Sequence, residues 1–247
     1  MGRVPPSDAS LPHAVNRPAD SPLPAAVLWD MDGTLVDTEP AWMAAEVALV
    51  AEFGGVWTDE DSLRMIGMPL LTAAGILRAH GVDLPEDAIV ERLVASVVAA
   101  VGRDLVWQPG ARELLGAVRD AGIPCALVTM SYRNLAEAVV GQAPPGTFDL
   151  LVTGDEVTHG KPHPEPYLRA ADLLGVDITR CVAVEDSPPG VASALASGAR
   201  TLGVQHIARV EAQPGLSRAG SLAQIGLDDL RALVRGDVLD LLEDPAA

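Results

Sequence analysis

Short apolar runs alternate with helical segments along most of this 247-residue chain. Segments of about ten residues with helical character lie at 110–121, 132–141, 164–174 and 188–198, between apolar runs at 124–128, 148–152, 181–184 and 200–204. Strands that alternate with helices of this length form a parallel, doubly wound sheet. We therefore predict an α/β fold in which the carboxyl ends of the strands share one edge. A last helix is predicted over 227–242.

Residues 38–104 interrupt this alternation, because they contain helical patterns and no strand pattern. The predicted helices cover 41–53, 59–66, 69–80 and 85–102, and Thr58 with three following acids is typical of a helix start. We predict an inserted all-helical cap over 38–105. The sheet core is predicted to comprise 25–37 and 106–247, preceded by a disordered leader over 1–24 that is rich in Pro, Ser and Ala.

Charge and cysteine content exclude several classes of function. The formal net charge is −17, which argues against a nucleic-acid partner because phosphate backbones need basic patches. No apolar run is long enough to span a bilayer, and residues 1–24 lack the apolar core of a secretory signal. The two isolated cysteines, Cys125 and Cys181, indicate a reducing compartment. We expect a cytoplasmic protein with no membrane partner; a monomer is expected, with an oligomer as the open alternative.

The first apolar run, Val27-Leu28-Trp29, ends in two carboxylates, Asp30 and Asp32, followed by Gly33. Ligands of open α/β sheets bind outside the carboxyl ends of such strands. One carboxylate could attack phosphorus and form an aspartyl intermediate, while the other exchanges protons with the leaving group and with water. The structural alternative is a solvated acidic turn, because Asp and Gly both favour turns.

Polar residues also follow the other predicted strands. Thr129 and Ser131 follow the apolar run at 124–128, and Glu185 and Asp186 follow the run at 181–184. Lys161, the one lysine of the chain, precedes a helix. Each feature has a structural alternative: a hydroxyl satisfied by backbone, a surface lysine or solvated acids. Their joint occurrence at strand ends favours a shared site.

This set of residues suits phosphoryl transfer, in which catalysis consists mainly of positioning and cationic stabilisation. The side chains of Asp30 and Asp186 and the backbone carbonyl of Asp32 offer hard oxygen ligands for Mg²⁺, and Glu185 could join them or orient a bound water. Lys161 would neutralise the phosphoryl group. We expect a phosphate site that comprises Lys161 and the two residues directly after the run at 124–128, Thr129 and Met130.

Four motifs carry a family resemblance: DMDGTLVD at 30–37, LVTMS at 127–131, GKP at 160–162 and VEDSPPG at 184–190. In order and spacing, the chain resembles the haloacid dehalogenase-like hydrolases. It is most similar to the helical-cap branch that includes β-phosphoglucomutase-type and phosphoglycolate phosphatase-type proteins. The resemblance implies a Rossmann-like core with a helical cap inserted after the first motif.

The resemblance also implies individual roles. Asp30 would be the nucleophile and Asp32 the acid and base. Thr129 and Lys161 would hold the phosphate, and Asp186 would bind the metal. With these roles the chain would be a Mg²⁺-dependent phosphatase of a small phosphorylated metabolite.

Differences from the motifs of related branches reduce the number of reactions that this chain could catalyse. Asp32 argues against the dehalogenases, which lack the second acid, and a predicted cap without lysine excludes the phosphonate-cleaving branch. The mutase branch has a histidine where this chain has Trp42, which favours hydrolysis. A sugar-phosphate mutase remains the alternative, because arginines at 64, 78 and 92 could replace a cap lysine. A non-catalytic phosphate-binding protein is the third hypothesis. Arg64 and Trp42 are candidate specificity residues, although an exposed helix arginine is the more common role for a residue such as Arg64.

Overall fold

Strands and helices follow one another in the alternating order that the apolar runs predict. The computed structural model describes residues 23–66 and 68–242. The strands are β1 (Val27–Trp29), β2 (Val36–Asp37), β3 (Val106–Trp107), β4 (Cys125–Val128), β5 (Leu150–Val152), β6 (Val182–Glu185), β7 (Arg200–Val204) and β8 (Leu216–Ala219). The helices are α1 (Glu39–Glu52), α2 (Asp59–Leu63), α3 (Leu70–Ala79), α4 (Glu86–Val101), α5 (Ala111–Asp120), α6 (Arg133–Val140), α7 (Glu165–Leu174), α8 (Pro188–Ser197) and α9 (Leu227–Arg235).

Six strands form one parallel sheet in the order β5-β4-β1-β6-β7-β8. In the register, Leu28 of β1 lies opposite Ala126 of β4 on one side and Ala183 of β6 on the other. The carboxyl ends of these three central strands therefore lie at one edge of the sheet. This arrangement confirms the prediction of an α/β, Rossmann-like core.

Helices cover both faces of the sheet, as a parallel sheet requires. All three residues of β1 are fully buried. Trp29 belongs to an apolar cluster that includes residues of α5 and α9, whereas Leu28 belongs to a second cluster with Tyr167 of α7 and Ala194 of α8. The indole Nε1 of Trp29 also donates to the Cys125 sulfur at 3.4 Å. Burial on both faces explains why β1 is a continuous apolar run.

Helices α1 to α4 form a helical block (residues 39–101) between β2 and β3. Of the four helices, α4 contributes the most buried residues, namely Ile89, Val90, Leu93, Val94, Val97 and Val101. Strands β2 and β3 pair antiparallel, with Val36 opposite Trp107. The block thus leaves and rejoins the core through two adjacent segments. The exact boundaries of the predicted cap, at 38 and 105, stay a prediction.

Two parts of the C-terminal region differ from the sequence prediction. The last helix ends at Arg235 rather than at 242, because Gly236 adopts a left-handed conformation (φ 101°) that ends it. Strand β8 was not predicted. Its Arg218 is buried beside Asp240, with 2.6 Å between the charged atoms. Because the segment contains polar residues, it lacks the apolar run by which the other strands were predicted.

The predicted leader lies outside the described residues, except for residues 23 and 24. Within 23–66 and 68–242, no helix combines the length and the apolar character needed to cross a membrane.

Candidate active site

The turn after β1 brings the first motif to the edge of the sheet. Gly33 adopts a left-handed conformation (φ 84°), and a Cβ at this position would lie 2.1 Å from an Asp186 carboxylate oxygen. Only glycine satisfies both conditions. The neighbouring Thr34 hydroxyl donates to the same carboxylate at 3.1 Å. The first and fourth motifs therefore meet through direct contacts.

Lys161 lies at the centre of the site. Its Nζ is 2.6 Å from Asp30 Oδ1 and 2.6 Å from Glu185 Oε1, and it donates to the Val128 carbonyl at 2.8 Å. Burial alone lowers the pKa of Lys161, but Asp30 and Glu185 together outweigh burial and raise it. The ammonium group is therefore a permanent positive charge beside the predicted nucleophile.

Glu185 is fully buried and completely paired. Its Oε1 accepts from the Tyr167 hydroxyl at 2.7 Å, in addition to the contact with Lys161. Its Oε2 accepts from the Asp186 backbone N–H and the Ser187 hydroxyl, each at 3.2 Å. A Cβ at Gly190 would lie 2.0 Å from this carboxylate. Glu185 therefore fixes the position of the lysine, and Tyr167 fixes Glu185.

Three hydroxyl groups surround the Asp32 carboxylate. Thr38 donates to Oδ1 at 2.5 Å, while Ser131 and Thr129 donate to Oδ2 at 2.8 and 3.2 Å. Thr129 also accepts from the Ser131 backbone N–H at 3.0 Å. The carboxylate of Asp32 is thus oriented separately from that of Asp30, as two different catalytic roles would require.

Three carboxylates could hold a divalent cation. Asp30, Glu185 and Asp186 each offer an oxygen, and these atoms all lie within 4.8 Å of one another. Burial, reinforced by Glu185, raises the pKa of Asp30 to about 7 although Lys161 opposes the rise. Burial and the charge of Asp30 also raise the pKa of Asp186. Excess negative charge in a buried cluster suits a hard cation such as Mg²⁺, so the residues present fit the metal.

A cavity lies between the sheet edge and the helical block. We call the polar cluster below it the floor (Asp30, Asp32, Lys161, Glu185 and Asp186); all of its members except the half-buried Asp32 are buried. We call the side chains of the helical block that line it the roof (Glu39, Trp42, Met43, Glu46, Ser62, Met65, Ile66, Met68, Leu70, Ala73 and Leu93). The cavity is therefore polar below and mostly apolar above, a pattern typical of small-molecule sites.

The structure brings most of the predicted site residues to this cavity. Met130 lines it, and the Met130 sulfur accepts from the Lys161 backbone N–H at 3.3 Å. Trp42 lines the roof. Arg64 does not line the cavity, because its side chain is 65% exposed and pairs with Glu60 at 2.5 Å. Its role in specificity stays a prediction that this placement does not support.

Two roof carboxyls were missed by the sequence analysis. Burial, with added repulsion from Asp32, raises the pKa of Glu39 to about 8. Glu46 is 6% exposed, and its Oε2 accepts from Trp57 Nε1 at 3.2 Å and from the Ser62 hydroxyl at 2.5 Å. Acids within a helical pattern resemble solvated residues. Only their burial beneath the neighbouring helices reveals them.

A family model described as haloacid dehalogenase-like hydrolase matches residues 24–198, which include all four motifs and the helical block. The chain belongs to this family. The hydrolase is 36% identical to hexitol phosphatase A of Escherichia coli (strain K12) over 181 residues, covering 72% of this chain and 81% of that one. It is 30% identical to phosphoglycolate phosphatase of Xanthomonas campestris pv. campestris over 177 residues, covering 71% and 80%.

A solved structure supports the same assignment. The crystal structure of CbbY from Rhodobacter sphaeroides in complex with phosphate superposes on the hydrolase with a TM-score of 0.77 and 28% sequence identity, over 84% of this chain and 99% of that one. The chain is thus an enzyme of the hydrolase family with the helical cap of its relatives. In its floor, the Asp30 carboxylate contacts the Lys161 ammonium, and the Asp32 carboxylate is held separately by hydroxyl groups.

Proposed function

We propose that this hydrolase is a Mg²⁺-dependent phosphatase that releases phosphate from a small phosphorylated metabolite through an aspartyl-phosphate intermediate. The contact between Lys161 and Asp30, within a group of buried carboxylates at the sheet edge, is the observation that supports the proposal most directly. The phosphatase names of the relatives and the phosphate in the CbbY structure are consistent with it.

In the first step, an Asp30 carboxylate oxygen attacks phosphorus. The new P–O bond forms the aspartyl phosphate while the bond to the ester oxygen breaks. The leaving oxygen takes a proton from the Asp32 carboxyl and departs as an alcohol. Lys161 keeps the Asp30 oxygen in place and offers positive charge to the phosphoryl group.

In the second step, Asp32 accepts a proton from water while the water oxygen attacks phosphorus. The aspartyl bond breaks, which restores the Asp30 carboxylate and releases inorganic phosphate. The three hydroxyls around Asp32 support this double role, because they hold the carboxyl at one position through both steps.

The metal would be held by the side chains of Asp30 and Asp186 and by the backbone carbonyl of Asp32. When bound, Mg²⁺ would supply positive charge that polarises the phosphoryl group and offsets the clustered carboxylates. Glu185 already binds Lys161 and Tyr167, so we assign it to positioning the lysine rather than to direct coordination of the metal.

The decisive experiment compares Asp30→Asn with the wild-type enzyme in a phosphate-release assay, with Mg²⁺ and with EDTA. We expect the variant to lose turnover by at least about 10⁴-fold because it lacks the nucleophile, and we expect EDTA to abolish wild-type turnover. Asp172→Asn, which makes the same change at an exposed position on α7, should retain full activity. Turnover by a well-folded Asp30→Asn variant would contradict the mechanism.

The same assay separates the other hypotheses. A sugar-phosphate mutase would interconvert isomers of a hexose phosphate without releasing inorganic phosphate, which ³¹P NMR detects. A non-catalytic binding protein would bind phosphate esters and leave them unchanged. The cytoplasmic location and the monomeric state stay predictions.

A further inference from the structure

The roof of the cavity carries no positive charge among the described residues. Five carboxyl side chains line the cavity, and Lys161 is the single basic side chain that does so. The Lys161 ammonium is already bound by Asp30 and Glu185 in the floor. Among the described residues, Lys161 is thus the one source of positive charge in this cavity besides a bound divalent cation, and a single phosphoryl group would use both.

The arginines of the helical block are paired on its surface instead. Arg64 lies 2.5 Å from Glu60, and Arg92 lies 2.5 Å from Glu52. Arg78 lies 3.6 Å from the first residue of α4. None of the three lines the cavity, so a second anionic group of a ligand would meet apolar or acidic side chains there. An anion buried without a partner is strongly disfavoured.

The roof does offer partners for hydroxyl groups. Within the described residues, the Glu39 carboxyl makes no hydrogen bond. Glu46 is held through Oε2 by Trp57 and Ser62, which leaves Oε1 without a protein donor. A hydroxyl can donate to a carboxylate and can accept from a protonated carboxyl. Both roof carboxyls therefore suit hydroxyls in either protonation state.

We propose that the preferred substrates carry a single phosphate on an otherwise uncharged, hydroxylated carbon chain, and that the roof excludes substrates with a second anionic group. This inference rests on the proposed function. Family membership does not decide whether a second anionic group is accepted. One relative is named hexitol phosphatase A, and another is named phosphoglycolate phosphatase, after a compound that carries a carboxylate. The charge distribution of this cavity is what favours substrates without a second anionic group.

The test uses substrate pairs that differ in charge but little in shape. Suitable pairs are glucitol 6-phosphate with 6-phosphogluconate, and glycerol 3-phosphate with 3-phosphoglycerate, in which a CH₂OH group replaces a carboxylate. We expect kcat/KM for the member with one phosphate and no other charge to exceed that of its partner by about 100-fold in each pair. Equal values within the pairs would overturn the proposal.

Binding of the same pairs to Asp30→Asn, measured by calorimetry with Mg²⁺, separates this proposal from the proposed function. A preference for the less charged members without wild-type turnover would support the selectivity and overturn the phosphatase. Turnover without any preference would overturn the selectivity and leave the phosphatase intact. Failure to bind any member would overturn both.

A gain-of-function variant tests the cause of the exclusion. Met68 lines the cavity and is 36% exposed, so Met68→Arg adds a cation to the roof without burying it fully. We expect this change to raise kcat/KM for the doubly anionic members, relative to their partners, by about tenfold. Leu71→Arg adds the same charge on α3 outside the cavity and should leave the ratio unchanged. Equal ratios in the two variants would overturn the proposal.

Discussion

The floor and the roof of the cavity differ in how firmly their side chains are held. In the floor, Asp32 accepts three hydrogen bonds and Lys161 contacts three oxygens. In the roof, most side chains are apolar, and Glu46 has the one network of buried polar partners described there. The comparison indicates that the chemistry depends on fixed polar geometry, whereas substrate selection depends on shape and on the absence of charge.

Beyond the loss expected for Asp30→Asn, the largest effect is expected at Lys161, at the centre of the floor. Lys161→Met leaves Asp30 and Glu185 buried without their shared cation, and breaking a buried ion pair costs about 3–5 kcal/mol of stability. We expect a lower denaturation midpoint together with a loss of turnover of at least about 10³-fold. Arg169→Met, which removes an exposed basic side chain on α7, should change neither. A stable and active Lys161→Met variant would break the contrast between the two regions.

A smaller effect on turnover is expected at Tyr167, which contacts Glu185 of the floor. Tyr167→Phe removes only the hydroxyl that donates to Glu185 at 2.7 Å, at a cost of about 1 kcal/mol in stability. Because Glu185 holds Lys161, we expect kcat to fall by about tenfold with little change in KM. Steady-state kinetics with the best substrate of the panel measures both constants. If KM rises and kcat does not fall, Tyr167 acts on substrate binding and the assignment is wrong.

The smallest effect is expected behind the roof. Trp57 does not line the cavity, but its Nε1 donates to Glu46 at 3.2 Å and to Ser62 at 2.9 Å. Trp57→Phe should therefore remove one of the two hydrogen bonds that hold Glu46, leave the one from Ser62, and raise KM by about threefold with kcat nearly unchanged. A fall in kcat at constant KM would show that the roof takes part in the chemistry, which would weaken the comparison.

The sequence predicted the floor much better than the roof. Asp30, Asp186 and Lys161 are predictable because each follows an apolar strand or belongs to a short motif, and parallel strands bring such positions to one edge. Tyr167 gave no signal, since it lies within a helix and its contact with Glu185 depends on tertiary packing. The same reason applies to Glu46, whose partner Ser62 lies on another helix.

The fold shows the same limit at its C-terminal edge. The strands with continuous apolar residues were predicted, whereas β8 contains a buried arginine whose charge is balanced by Asp240, and no local pattern reveals that pair. The last helix was predicted too long because the glycine at 236 ends it, although apolar residues continue beyond. Sequence periodicity therefore does not predict long-range ion pairs such as Arg218 with Asp240, or the conformation of an individual residue such as Gly236.

The presence of one lysine in the whole chain has a practical consequence. Apart from the α-amino group, the enzyme has a single primary amine, and that amine touches the predicted nucleophile. A ¹⁵N label introduced through lysine would therefore give one side-chain ammonium resonance, free of overlap. Its chemical shift would report directly on metal and phosphate occupancy, so the protein contains its own spectroscopic probe at the reacting centre.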